Sequence, residues 1–67
     1  MELLIIKSNN QYIRFKDKDY HLVNLDKASV FPMDQLESVR THAAAVRDRG
    51  MDASIKRLVL TEEDFES

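Results

Sequence analysis

No cysteine occurs among the 67 residues of this chain. A disulfide, a thiolate zinc site and a thiol nucleophile are therefore excluded, and the absence fits a reducing compartment. Glycine occurs once, at Gly50, and proline once, at Pro32. With one glycine, neither a Gly-rich phosphate cradle nor a nucleophile elbow can be built. No long apolar run is present either. The longest, Leu3 to Ile6, falls far short of the roughly 20 residues that span a bilayer. Met1-Glu2 and four apolar residues also lack the basic start and longer apolar stretch of a signal peptide. The expectation is a cytoplasmic chain with no membrane partner.

Excess base is missing too. The formal net charge is −2. Glu62, Glu63, Asp64 and Glu66 crowd the C-terminal end with no base among them, which leaves residues 1–60 at +2. A body so near neutrality argues against a strongly basic nucleic-acid binder. Hydrophobic residues are 43% and charged residues 33%, a globular rather than a disordered balance. A chain this short buries only about 60% of its unfolded surface, so each apolar residue carries weight. The expected organisation is one compact domain over residues 1–61 and a frayed acidic tail over 62–67.

The richest signal is a helical pattern from Pro32 to Arg49. Met33, Leu36, Val39, Ala43 and Val46 recur at spacings of three and four, which makes one apolar stripe. Pro32 suits the first helical position, Asp34 the positive end of the helix dipole, and Arg47 and Arg49 the negative end. Gly50 suits the left-handed cap, with Met51 folding back on the last turn.

Short β-type segments flank this helix. Leu3 to Lys7 is a run, and Tyr12 to Lys16 alternates at period 2. Tyr20 to Val23 alternates less cleanly. Asn9-Asn10 and Asp17-Lys18 are turn signals between them. Two-residue turns at those places set Ile6 opposite Ile13, Leu4 opposite Phe15, Phe15 opposite Tyr20 and Ile13 opposite Leu22. One face then holds Leu4, Ile6, Ile13, Phe15, Tyr20 and Leu22. The other holds Leu3, Ile5, Lys7, Tyr12, Arg14, His21 and Val23, with Val59 expected to join it. Ala28 to Phe31 reads as a short strand or an extended connector, since a residue before proline avoids the α region. Ile55 to Leu60 reads as the last strand. Segment 28–31, the helix and segment 55–60 could form a βαβ crossover.

The fold expected is α+β: an antiparallel-rich sheet of 3–5 strands in the order β-β-β-(β)-α-β, with one helix packed on one face. Leu4, Ile6, Ile13, Phe15, Leu22, Leu36, Val39, Ala43, Val46 and Leu58 are the expected core.

Three stretches carry a resemblance. Ile5 to Phe15, Leu25 to Pro32 and Val59 to Asp64 resemble small bacterial and prophage-encoded proteins of unknown function. The resemblance covers nearly the whole chain. It implies a mobile-element origin and no activity.

Candidate chemistry is sparse. His21 and His42 are the only histidines and have no histidine or cysteine at ligand spacing, so each reads as packed or solvated. Glu62, Glu63 and Asp64 lack the loop pattern of a calcium site and read as a solubilising run. No catalytic, cofactor-binding or metal residue is assigned, and an enzyme is not expected. The sheet offers more. One helix covers one face, while Leu3, Ile5, Tyr12, Arg14 and Val23 remain on the other as a contact surface for an unidentified protein partner or a second copy. A weak RNA or single-stranded DNA binder through Tyr12, Arg14 and Lys16 is the alternative, because an aromatic among bases can stack a nucleobase and hold phosphates.

Overall fold

The computed structural model describes residues 1–66. The strands are β1 (Glu2–Ser8), β2 (Gln11–Lys16), β3 (Asp19–Val23), β4 (Val30–Pro32) and β5 (Ser54–Val59), and the helix is α1 (Leu36–Asp48). Short 3₁₀ turns at Leu25–Lys27 and Met33–Gln35 complete the elements. The five strands form one sheet with β1 at its centre, an α+β fold of the kind the sequence predicts.

The hairpin from β2 to β3 keeps the expected register, with Ile13 opposite Leu22 and Phe15 opposite Tyr20. Its turn places Asp17 at φ 54° and Lys18 at φ 62°. Both signs suit a turn that matches the twist of the strands it joins. The hairpin from β1 to β2 pairs Lys7 with Tyr12 and Ser8 with Gln11, then parts. Neither expected pair, Ile6 with Ile13 or Leu4 with Phe15, is therefore in the ladder, and Leu4 is opposite Phe31 of β4 instead. The cause is a wedge. β4 enters the fork between β1 and β2 and pairs with Leu3, Leu4 and Ile5. Ser29, just ahead of it, donates its N–H to the Ile13 carbonyl at 3.2 Å. The Ser29 hydroxyl accepts the Phe15 N–H at 2.9 Å. Backbone groups that β2 loses from β1 are thus taken up by the wedge.

β5 occupies the whole other edge of β1, antiparallel, from Glu2 opposite Val59 to Lys7 opposite Ser54. Since β4 and β5 are both antiparallel to β1, they run parallel to each other with β1 between them. α1 makes the crossover from one to the other. The expected βαβ unit is present but split by the first strand.

The helix begins later than its pattern suggests. Pro32 ends β4 at φ −60° and ψ 155°, the Met33–Gln35 turn intervenes, and α1 starts at Leu36. Pro32 is therefore a strand residue rather than the first of the helix. The helix end follows expectation. Gly50 has φ 84°, and the Met51 N–H reaches back to the Val46 carbonyl at 3.4 Å. Arg47 then ties the following loop down, its Nε and Nη2 donating to the Ala53 carbonyl at 3.1 and 2.7 Å.

Val39, Ala43 and Val46 are fully buried against Leu4, Ile6, Ile13 and Ala53, with Leu36, Met51 and Ile55 at the margin. Three members of the expected core lie elsewhere. Phe15 and Leu22 are 39% and 47% exposed, because α1 packs mainly over β1, β5 and β4, and Leu22 lies on the edge strand β3. Leu58 is opposite Leu3 and so faces away from the helix. Val59, opposite Glu2, lies on the helix side instead of the outer face. Residues 60–66 are exposed and follow β5 without further regular structure. Phe65 is 96% exposed and covers no part of the sheet. Ser67, the last residue of the expected tail, lies outside the described residues.

Candidate interaction surface

Side chains alternate across a strand, so the register assigns every residue of the outer sheet face. Three rungs build it. Pro32, Leu3 and Leu58 form the first, from β4, β1 and β5. Val30, Ile5 and Lys56 form the second. Val23, Tyr12, Lys7 and Ser54 form the third, across β3, β2, β1 and β5. Arg14 and His21 lie opposite each other on the next rung of the β2–β3 hairpin.

All five residues proposed from the sequence, Leu3, Ile5, Tyr12, Arg14 and Val23, share this face. They are not equally accessible. Leu3, Tyr12, Arg14 and Val23 are half-buried, whereas Ile5 is only 2% exposed. Its cross-strand neighbours Val30 and Lys56 flank it on both sides. Ile5 therefore supports the surface from beneath rather than offering atoms to a partner. Val30, 46% exposed, takes that place, and Leu58 and Pro32 extend the apolar strip.

Bases border the strip. Lys7, Arg14, Lys16 and Lys56 all belong to this face by register. The Lys7 Nζ lies 5.7 Å from the centre of the Tyr12 ring, within cation–π range. The acid on the same face is Asp19, opposite Lys16. Its carboxylate is already engaged by Arg49 from the end of the helix. That hydrogen bond, with a second from the Tyr20 N–H, holds the Asp19 carboxyl below its ordinary value of 3.8. Arg14, Lys16, Lys27 and Asp26 line an open groove beside β2, together with Ser29.

The two histidines have different surroundings. His21 is exposed on β3. His42 is enclosed by aromatic rings, with centroids of Phe15, Phe31 and Tyr20 at 4.6, 5.5 and 5.7 Å. Its Nδ1 lies 2.7 Å from the Tyr20 hydroxyl. This is a packing cluster between the hairpin, β4 and the helix. The sequence carried a signal for it, since His42 falls between Val39, Ala43 and Val46 on the buried stripe and Phe15 and Tyr20 share the inner face. Among the described residues no group of three or more histidine, aspartate or glutamate side chains is arranged to hold a metal ion. Among them, too, no helix is long and apolar enough to cross a membrane.

Comparison with protein families, with curated proteins and with solved structures finds no match for this chain.

Proposed function

We propose that the chain is a small protein–protein interaction module that docks its partner on the sheet face opposite α1. One observation carries this reading: an apolar strip three rungs deep, from Pro32, Leu3 and Leu58 to Val23 and Tyr12, lies on the face that the helix leaves uncovered. Contiguous apolar surface is seldom left bare on a monomer. An apolar centre bordered by polar groups is the usual make-up of an interface. The four bases around the strip favour a partner that carries acids around its own apolar patch. Tyr12 and Arg14 are the expected energetic anchors, since tyrosine and arginine dominate measured hot spots. The reading is one of binding rather than catalysis. A mobile-element setting, as the resemblance implies, belongs to the same proposal.

Tyr12→Ala combined with Arg14→Ala tests it. The double variant should keep its helical and strand circular dichroism and lose the partners that the wild type captures from a lysate. If it retains the same partners, the outer face has no binding role.

A second reading is a weak RNA or single-stranded DNA binder through Tyr12, Arg14 and Lys16. The Lys7 ammonium over the Tyr12 ring and the bases beside it favour this reading, while the net acidic chain disfavours it. Binding to a labelled single-stranded oligonucleotide would have to weaken steeply with added salt. Salt-insensitive partner capture would exclude it.

A further inference from the structure

β5 is an edge strand: β1 covers one side of it, and among the described residues no strand covers the other. The hydrogen-bond phase of that edge can be read directly. Leu60 donates its N–H to the Met1 carbonyl at 2.8 Å, and the Met1 amine donates to the Leu60 carbonyl at 3.0 Å. Hydrogen-bonded pairs alternate along an antiparallel ladder. Leu60, Leu58, Lys56 and Ser54 therefore turn their backbone groups toward β1. Ile55, Arg57 and Val59 turn theirs outward, unpaired.

Directly beyond this strand come four acids and Phe65, all exposed. We infer that β5 and residues 61–65 form a reciprocal edge with a second copy of this chain, each tail running antiparallel along the other copy's β5.

Charge and register select this arrangement. Outward-facing residues must pair with outward-facing residues, so a two-fold register is centred on a residue. Centred on Lys56 or Arg57, it stacks like charges across the interface, which is unfavourable. Centred on Leu60, it sets Lys56 opposite Asp64 of the second copy, Arg57 opposite Glu63, and Ile55 opposite Phe65. Lys56 then meets an acid, Arg57 adds Glu63 to the Glu2 carboxylate it already reaches at 3.4 Å, and the most exposed aromatic meets an apolar neighbour. A shift of the centre to Val59 puts Ile55 against Glu63. A shift to Thr61 puts Arg57 against Phe65. Only the Leu60-centred register satisfies all three pairs.

The tail does not make the same pairs with its own strand. Folding back would require a turn at Val59-Leu60-Thr61, which contains no glycine, asparagine, aspartate or proline. The exchange with Met1 also holds Leu60 in the extended ladder. The two-fold axis of an antiparallel edge stands perpendicular to the sheet. Both helices consequently lie on one side, and the two outer faces join into one surface of twice the extent.

Sedimentation velocity on the full chain, from about 10 μM to about 1 mM, should show concentration-dependent dimerisation. Lys56→Glu with Arg57→Glu, and separately Glu63→Lys with Asp64→Lys, should each remain folded and weaken self-association by about tenfold or more. Mixed in equal amounts, the two variants should associate with each other, because each β5 then meets a tail of opposite sign. A wild type that stays monomeric over this range overturns the inference. So do variants that dimerise as the wild type does, or folded variants that fail to associate when mixed. The Tyr12→Ala, Arg14→Ala chain should dimerise normally, so loss of the outer-face reading and loss of this edge are told apart.

Discussion

The Tyr20 hydroxyl lies 2.7 Å from His42 Nδ1, joining the outermost strand of the sheet to the middle of the helix. This contact lies near the turn end of the hairpin, where Tyr20 is opposite Phe15. It is flanked by the Phe15 ring, 5.0 Å from Tyr20 and 4.6 Å from His42. A hydrogen bond in such a cluster also fixes how the rings stack.

Tyr20→Phe should therefore cost about 0.5–1.5 kcal/mol, the net worth of one intramolecular hydrogen bond. Urea denaturation of the variant measures it. In a His42→Leu background the same substitution should cost much less, because the partner is already gone.

Lys18 adopts φ 62° in the turn from β2 to β3. A side chain in that region costs roughly 1–2 kcal/mol, and glycine does not incur this penalty. Some of the gain is offset by the extra freedom of glycine in the unfolded chain. Lys18→Gly should raise stability by about 0.5–1 kcal/mol, seen as a higher melting temperature. Lowered stability would mean that the Lys18 side chain makes a contact worth more than the strain.

Ile6 is 2% exposed at the centre of the core, whereas Leu36 sits at its margin. Ile6→Ala should cost about 2–5 kcal/mol and leave so small a domain largely unfolded. Leu36→Ala should fall at or below the lower end of that range, since solvent already reaches part of the site. Thermal melts of the two variants side by side check the order. An equal loss would place Leu36 as deep in the core as Ile6.

Asp19 titrates below its ordinary value in the folded chain because Arg49 hydrogen-bonds to its carboxylate. A depressed carboxyl stabilises the fold above the unfolded value, and that contribution is lost as pH falls through the folded value. Asp19→Asn should thus melt slightly below the wild type at neutral pH. The gap should close in strong acid and shrink with salt, since the pair is exposed. A gap that persists unchanged in acid would assign the loss to the Tyr20 N–H contact instead.

Much of the local structure was legible in the residues themselves. The register of the β2–β3 hairpin followed from turn residues and a period of 2, because neighbouring side chains on a strand must point to opposite faces; that of β1–β2 followed only beside its turn. The buried stripe of Val39, Ala43 and Val46 followed from the helical period, and the helix stop followed from Gly50, since that end requires a left-handed backbone. The assignment of Leu3, Ile5, Tyr12, Arg14 and Val23 to one face followed from the same alternation.

Tertiary structure decided the remainder. Nothing local in Val30-Phe31-Pro32 tells that it wedges between β1 and β2, for its partners lie more than twenty residues away. Ile55-Lys56-Arg57-Leu58-Val59 has no clean alternation, so only its pairing with β1 placed Leu58 outside and Val59 inside. Ile5 is buried on an outer face because strands distant in sequence bring Val30 and Lys56 to its sides. Periodicity is imposed by the backbone over a few residues and can be read from them. Which strand enters which fork is settled by how the whole chain fills volume and pairs its backbone groups, and no single segment contains that information.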